Sequence, residues 1–261
     1  MRFLLLLLLS LNVQALQLLQ SKDTHNTVKQ KFGVERALSA RELLTQLKKN
    51  AKQGDARSQF SLANMYHHGI NTNRDVKLAF YWYVQVAESG YPSAQLKLAE
   101  FYEQGVGTVQ DMSQAVFWYE KAGQQDLIKA QYKLAKIYMR GQNIDEAKYW
   151  YERAAKLGFM PAQLDLARLY DTHQDLNKAQ HWYEKAAIHS KNAEAQYHLA
   201  NFFERIKKPE QALLMYQKSA IQGFEKAQSY LSKQEKPIVS LEEISASLLE
   251  NSKTLKDKNA K

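Results

Sequence analysis

Apolar residues along most of the chain recur with the spacing of a helix, and the pattern returns in copies. One phrase consists of a small residue, Gln, two variable positions, Leu, Ala, two more variable positions and an aromatic, and it reads SQFSLANMY at Ser58–Tyr66. It returns as AQLKLAEFY at Ala94–Tyr102, AQYKLAKIY at Ala130–Tyr138, AQLDLARLY at Ala162–Tyr170 and AQYHLANFF at Ala195–Phe203, with a shortened copy, AQSYLS, from Ala227. The steps between copies are 36, 36, 32, 33 and 32 residues, a regularity that marks a repeat protein.

A second phrase follows each of the first five copies: Ala79-x-x-Trp82-Tyr83, Ala115-x-x-Trp118-Tyr119, Ala147-x-x-Trp150-Tyr151, Ala179-x-x-Trp182-Tyr183 and Ala212-x-x-Met215-Tyr216. All four Trp of the protein occupy one position of it. A helical residue advances by about 100°, so the Ala, the Trp or Met, the Tyr and the small residues that follow share one side of a helix. The tryptophans are therefore read as core packing rather than as a stacking or catalytic set. Asp75, Asp111, Asn143 and Asp175 each stand four residues before the Ala of the second phrase, where a side-chain oxygen can cap free N–H groups. Lys208-Pro209 puts a proline in the first turn of the fifth such helix instead. Gly90, Gly158 and Gly223 are placed to close the second helix in a left-handed conformation. Each unit is thus a helical hairpin, and hairpins in series share one core. The array runs over residues 55–236 with five full units and one partial, and a helix of about Glu35–Lys52, within residues 34–54, is expected to cap its N-terminal end.

The two ends break the pattern. Met1-Arg2 and the apolar run from Phe3 to Leu11 have the form of a secretory signal, and Val13-Gln14-Ala15 places cleavage after Ala15. The run is too short to span a bilayer, which takes about 20 apolar residues. Residues 16–33 are read as a polar linker, aperiodic from residue 20 onward, and the expected location is the periplasm or the outside of a bacterium. In the tail, residues 237–261, Ser240-x-x-Glu243 resembles a capping box that opens a short helix over the end of the last repeat.

Composition removes most chemistry. The 261 residues hold no Cys, so disulfides, thiolate metal sites and thiol nucleophiles are out, and a lipoprotein anchor with them. Lys and Arg number 36 against 27 Asp and Glu, a balance of +9 that favours acidic partners but is spread too thinly to indicate nucleic acid. No strand-borne G-x-G-x-x-G, P-loop, G-x-S-x-G or H-E-x-x-H is present. His67-His68 is the most suggestive pair for a metal, but neighbours on a helix point about 100° apart, so no metal and no cofactor are expected.

The second unit reads A-x-x-L-A-x-x-Y, then G-x-G with Asp following, then A-x-x-W-Y-x-K-A. Its residues are Ala94, Leu98, Ala99, Tyr102, Gly105, Gly107, Asp111, Ala115, Trp118, Tyr119, Lys121 and Ala122. With it the chain resembles the Sel-one-like repeat (SLR) family of the tetratricopeptide superfamily over residues of roughly 50 to 232. Units three to five depart by losing four loop residues and the second Gly, which shortens the turn without touching either packing face. The resemblance implies an all-α, right-handed α-solenoid whose first helices line a concave surface, and a non-enzymatic adaptor or scaffold of the bacterial envelope. One exported branch of the family, described as binding or hydrolysing β-lactams, pairs two cysteines per repeat, and this chain has none.

Counting the small anchor of the first phrase as zero, offsets 3, 6 and 10 vary between units, are mostly polar and fall within one ~60° stripe. On the implied concave face this stripe gathers Lys133, Lys136 and Arg140 in the third unit, flanked by Lys97 and Arg168. The expected partner is a protein with an acidic segment seated over these five residues. Peptidoglycan or another anionic envelope polymer is the alternative, with hydrolysis of a β-lactam behind it, and neither nucleic acid nor a membrane span is expected.

Overall fold

A computed structural model describes residues 40–190, 192–238 and 243. The expected signal segment, the linker, the start of the N-terminal helix and the tail helix lie outside the described residues. Among the described residues stand twelve α-helices and no strand. They are α1 (Ala40–Lys52), α2 (Ala56–His68), α3 (Val76–Glu88), α4 (Pro92–Gln104), α5 (Met112–Gln124) and α6 (Ile128–Arg140), followed by α7 (Ile144–Lys156), α8 (Met160–Thr172), α9 (Leu176–Ser190), α10 (Ala193–Arg205), α11 (Pro209–Ile221) and α12 (Glu225–Lys233). Even numbers are the first helices of the units and odd numbers the second, with α1 in the place of a second helix.

Each helix packs on its chain neighbours, more extensively within a unit than between units, and α8 also touches α10, so first helices lie side by side. The result is an α-solenoid. The Leu of the first phrase is sealed in every unit: Leu62, Leu98, Leu134, Leu166 and Leu231 are 0% exposed and Leu199 1%. Ala63, Ala99, Ala135, Ala167 and Ala200 beside them are 0% exposed, and small side chains there let the helix axes approach closely. The core forms two clusters that meet at α4 and α5, where Tyr102 and Trp118 touch both.

The tryptophans do not behave alike. Trp150 and Trp182 are buried, at 6% and 7% exposure, whereas Trp82 and Trp118 are only half-buried. The Tyr that follows is the more deeply set residue, with Tyr83, Tyr119 and Tyr216 at 0%.

Caps follow the sequence in three of four places. Asp75 accepts from the amides of Lys77 and Leu78, Asp111 from those of Ser113 and Gln114, and Asp175 from that of Lys178. Asn143 makes no side-chain cap. Its backbone lies at φ −84°, ψ 79°, away from the extended angles near φ −142° that turn Asp75 back over its helix. Asp145 and Glu146 bring negative charge to that first turn instead. Asp55 and Asn192 cap first helices, a role the sequence reading did not assign them.

Gly107 adopts φ +70°, and a Cβ there would lie 2.3 Å from the carbonyl oxygen of Val76, so the long turn of the second unit presses directly on the start of α3. In the shortened units the left-handed turn position is held by Gln142, Gln174 and Lys207 rather than Gly.

Candidate functional site

The buried Gln of the first phrase ties neighbouring hairpins together. The Nε2 groups of Gln59, Gln95, Gln131, Gln163 and Gln228 donate to the carbonyls of Ala51, Ala87, Gly123, Ala155 and Ala220, each eight residues earlier, at 2.9 to 3.2 Å. Those carbonyls belong to the last turn of the preceding helix, where each already accepts a backbone amide three residues on, and the glutamine is a second donor that ties the next helix to that turn. The recurrence of Gln in every copy was the signal for this role.

The hydroxyl of the second-phrase Tyr crosses beneath the first helix and meets polar groups there. Tyr83 donates to Asn64 at 2.9 Å, Tyr119 to Glu103 at 2.6 Å, and Tyr216 to Asn201 and Glu204 at 2.6 and 2.8 Å. Burial pushes the Tyr83, Tyr119 and Tyr216 phenols well above their ordinary value, and for Tyr119 and Tyr216 the carboxylate they bond adds to the shift. Asn64 and Asn201, two members of the variable stripe, are therefore engaged from below.

The five expected site residues separate into three settings. Lys97 pairs with Glu100 at 2.7 Å, and Lys133 reaches back to Glu103 of the preceding unit at 3.3 Å, so both charges are already answered within the protein. Arg168 pairs with Asp165 at 2.9 Å, and its other terminal nitrogen lies 3.0 Å from His198 Nε2. His198 must accept there, and burial first, then the Arg168 charge, lower its pKa. Lys136 and Arg140 are exposed and take part in no ion pair among the described residues. The Lys136 ammonium stands 5.7 Å from the Tyr132 ring, and the Arg140 charge acts on both the Tyr119 and the Tyr151 hydroxyls.

Lys136 and Arg168 come together on one groove. Its volume is about 440 Å³, and it is lined by Lys136 and Met139 of α6, Ile144 and Tyr151 of α7, and Asp165, Arg168, Leu169, Thr172 and His173 around α8. The floor is apolar and the rim charged. Asp165 takes part in the rim with its carboxylate held by Arg168 and by the Tyr132 hydroxyl at 2.9 Å, and burial with that bond raises the Tyr132 phenol to about 12. Lys97, Lys133 and Arg140 do not line the groove. The sequence pattern missed its floor, because Met139, Ile144 and Leu169 come from three successive helices that only the stacking brings together.

The two adjacent histidines stand closer than their helical positions suggest, with ring centroids 4.3 Å apart, and His67 packs against Phe101 at 4.9 Å. Burial lowers the His67 pKa, with the neighbouring His68 as the next cause. No group of three or more His, Asp or Glu is placed to hold a metal ion among the described residues.

The model of the Sel1 repeat matches residues 56–91, 92–127, 128–159, 161–190 and 193–224, in register with the five hairpins. The chain belongs to the Sel1 repeat family. Among solved structures it is similar to a Sel1 repeat protein from Oxalobacter formigenes, at 31% identity and a TM-score of 0.62, covering 69% of this chain and 79% of that one. It is also similar to c5321, a protective antigen present in uropathogenic Escherichia coli strains displaying an SLR fold, at 28% identity and a TM-score of 0.61. That match covers 75% of this chain but 45% of the antigen. YrrB, a TPR protein with an unusual peptide-binding site, shares the fold at 18% identity and a TM-score of 0.51, covering 75% of this chain and all of that one. No curated protein matches. Sel1 repeats generally form non-catalytic scaffolds that mediate protein–protein interaction. No described helix is long and apolar enough to cross a membrane.

Proposed function

We propose that this Sel1 repeat protein is a scaffold of the bacterial envelope that seats an acidic segment of a protein partner on its first-helix face, over the groove between α6 and α8. The observation that carries this reading is the groove itself, an apolar floor with Lys136 and Arg168 on its rim. Arg140, exposed and in no ion pair among the described residues, supplies a further cation at the end of α6. Lys97 and Lys133 contribute less than their charge suggests, because Glu100 and Glu103 must be displaced before either can serve a partner. Apolar anchors set in the floor hold such a segment, and the cations orient it and speed its arrival.

The envelope setting rests on the sequence of the first fifteen residues, Arg2 followed by Phe3 to Leu11 and Val13-x-Ala15. The native protein should lack residues 1–15 by intact mass, and a retained Met1 on a cytoplasmic protein would contradict that setting. The binding face is tested by a photo-crosslinking residue at Thr172, on the groove wall, against one at Gln114, exposed on a second helix. Crosslinks in intact cells to one defined protein from position 172 and not from 114 support the reading. The reverse pattern would move the partner to the other face.

A further inference from the structure

The deeply set Tyr of each second phrase meets the first helix of its own unit at two places, six and nine residues past the small anchor. Those places hold Asn64 and His67 in the first unit, Glu100 and Glu103 in the second, and Lys136 and Met139 in the third. The fourth has Arg168 and Asp171 there, and the fifth Asn201 and Glu204. In three units an acceptor at one of these places takes the hydroxyl: Tyr83 donates to Asn64, Tyr119 to Glu103, and Tyr216 to Asn201 and Glu204.

The third unit has a cation and a thioether at those places. Tyr151 is 4% exposed and lines the groove between α6 and α8, and its hydroxyl forms no hydrogen bond among the described residues. Tyr183 of the fourth unit shares that lack, but it does not line the groove, and Asp171 above it is turned to Arg205 of the next unit. A hydroxyl buried this deeply is nearly always hydrogen-bonded, so a ligand that answers it is favoured. Burial also raises the Tyr151 phenol above its ordinary value, which keeps the proton in place and makes the group a donor.

The second unit shows which group fits. Glu103 Oε2 lies 2.6 Å from the Tyr119 hydroxyl and 3.3 Å from the Lys133 ammonium, so one carboxylate oxygen serves a phenol and a cation together. At Tyr151 the protein supplies the phenol and the cations: the Arg168 and Arg140 charges act on the hydroxyl, and Lys136 stands on the rim. It supplies no carboxylate that reaches the hydroxyl. Asp165 holds the Arg168 guanidinium with one oxygen and the Tyr132 hydroxyl with the other.

Resting on the reading of this groove as the seat of a partner, we propose that the partner lowers one glutamate or aspartate side chain into it. The carboxylate accepts from the Tyr151 hydroxyl beside Arg168, as Glu103 accepts from Tyr119 beside Lys133, and an apolar neighbour in the partner lies on Met139, Ile144 and Leu169. Tyr151 is thus the residue that selects a carboxylate. The rim cations attract negative charge from any direction, whereas the hydroxyl donates along one.

The test uses the full chain with a photo-crosslinking residue at Thr172 and three acetylated pentapeptides. One has Glu between two Leu and an amidated end, the second has Gln in place of Glu, and the third is the Gln peptide with a free C-terminal carboxylate. The Glu peptide should crosslink from position 172 and bind about tenfold tighter by calorimetry than either Gln peptide, the scale of a hydrogen bond to a charged group. Tyr151→Phe keeps the ring, and it should weaken the Glu peptide by about tenfold and shrink its advantage over the Gln peptide. Met139→Gln sets an acceptor where Glu103 and Glu204 stand, and it should weaken the Glu peptide too by closing the hydroxyl from within. Without peptide, Tyr119→Phe should lower the urea midpoint and Tyr151→Phe should leave it in place. Crosslinking from 172 with unchanged affinity in Tyr151→Phe would overturn this inference and leave the groove reading standing. A Glu peptide that binds without crosslinking there would overturn both. Preference for the free C-terminus, no measurable binding of the Glu peptide, or a Tyr151→Phe that unfolds as early as Tyr119→Phe would overturn the inference as well.

Discussion

The glutamine in second place of each first phrase carries more of the fold than its polarity suggests. Gln163 is 6% exposed and spends its amide on the Ala155 carbonyl at 3.0 Å, closing the end of α7. Gln163→Leu keeps the volume and removes the donor, and because the Ala155 carbonyl keeps the Gly158 amide as a partner it should cost about 0.5–1.5 kcal/mol, the net value of one hydrogen bond. Urea unfolding checks it, and a neutral result would mean that water replaces the bond. The tyrosines set the alkaline limit. Ten of them, from Tyr83 to Tyr230, titrate above the ordinary phenol value, and burial is the first cause at each. A raised folded-state pKa means stability that is complete below the unfolded value of about 10 and lost as pH rises through it. Helicity followed by circular dichroism should therefore collapse over a narrow range above about pH 10, while Tyr132 and Tyr138, raised to about 12, still resist ionisation in the folded chain.

At the scale of helices and turns, the periodicity made nearly every boundary legible, because the same small, Leu and aromatic positions must face the same neighbours in each unit. It could not grade the tryptophans, since identical repeat positions meet different surroundings along the stack. Trp118 lies where two core clusters meet and is half-buried, while Trp150 is 6% exposed and packs within one. Trp150→Ala should cost about 3–5 kcal/mol and Trp118→Ala measurably less, by thermal or urea unfolding of each variant. The shortened turns hold a second difference. Gln142 and Gln174 sit at φ +60° and +63°, a conformation that costs an L-residue about 1–2 kcal/mol. Gln142→Gly should raise stability by about 0.5–1 kcal/mol once the greater freedom of glycine in the unfolded chain is set against that relief. Gly107→Ala should do the opposite and strongly, because its Cβ would meet the Val76 carbonyl.

For the whole molecule, the sequence placed Lys97, Lys133, Lys136, Arg140 and Arg168 on one stripe but could not show which of them remain available. Glu103 lies outside the stripe by helical position and reaches Lys133 only because the preceding unit stacks beside it, a relation set by the solenoid rather than by spacing within a helix. The groove floor escaped for the same reason, since Met139, Ile144 and Leu169 come from three successive helices. What remains is a first-helix face on which Lys136 stands at the rim of an apolar groove and Arg140 at the end of α6, both outside any ion pair among the described residues. The measurement that tests this most directly is the affinity of the crosslinked partner for the protein carrying Lys133→Glu, Lys136→Glu and Arg140→Glu, read by calorimetry beside its melting temperature. Helicity should match the wild type and melting should fall slightly, because a glutamate at 133 would face Glu103, while affinity falls by about a hundredfold and loses its salt dependence. Wild-type affinity in the triple variant, with the fold intact, would contradict the account.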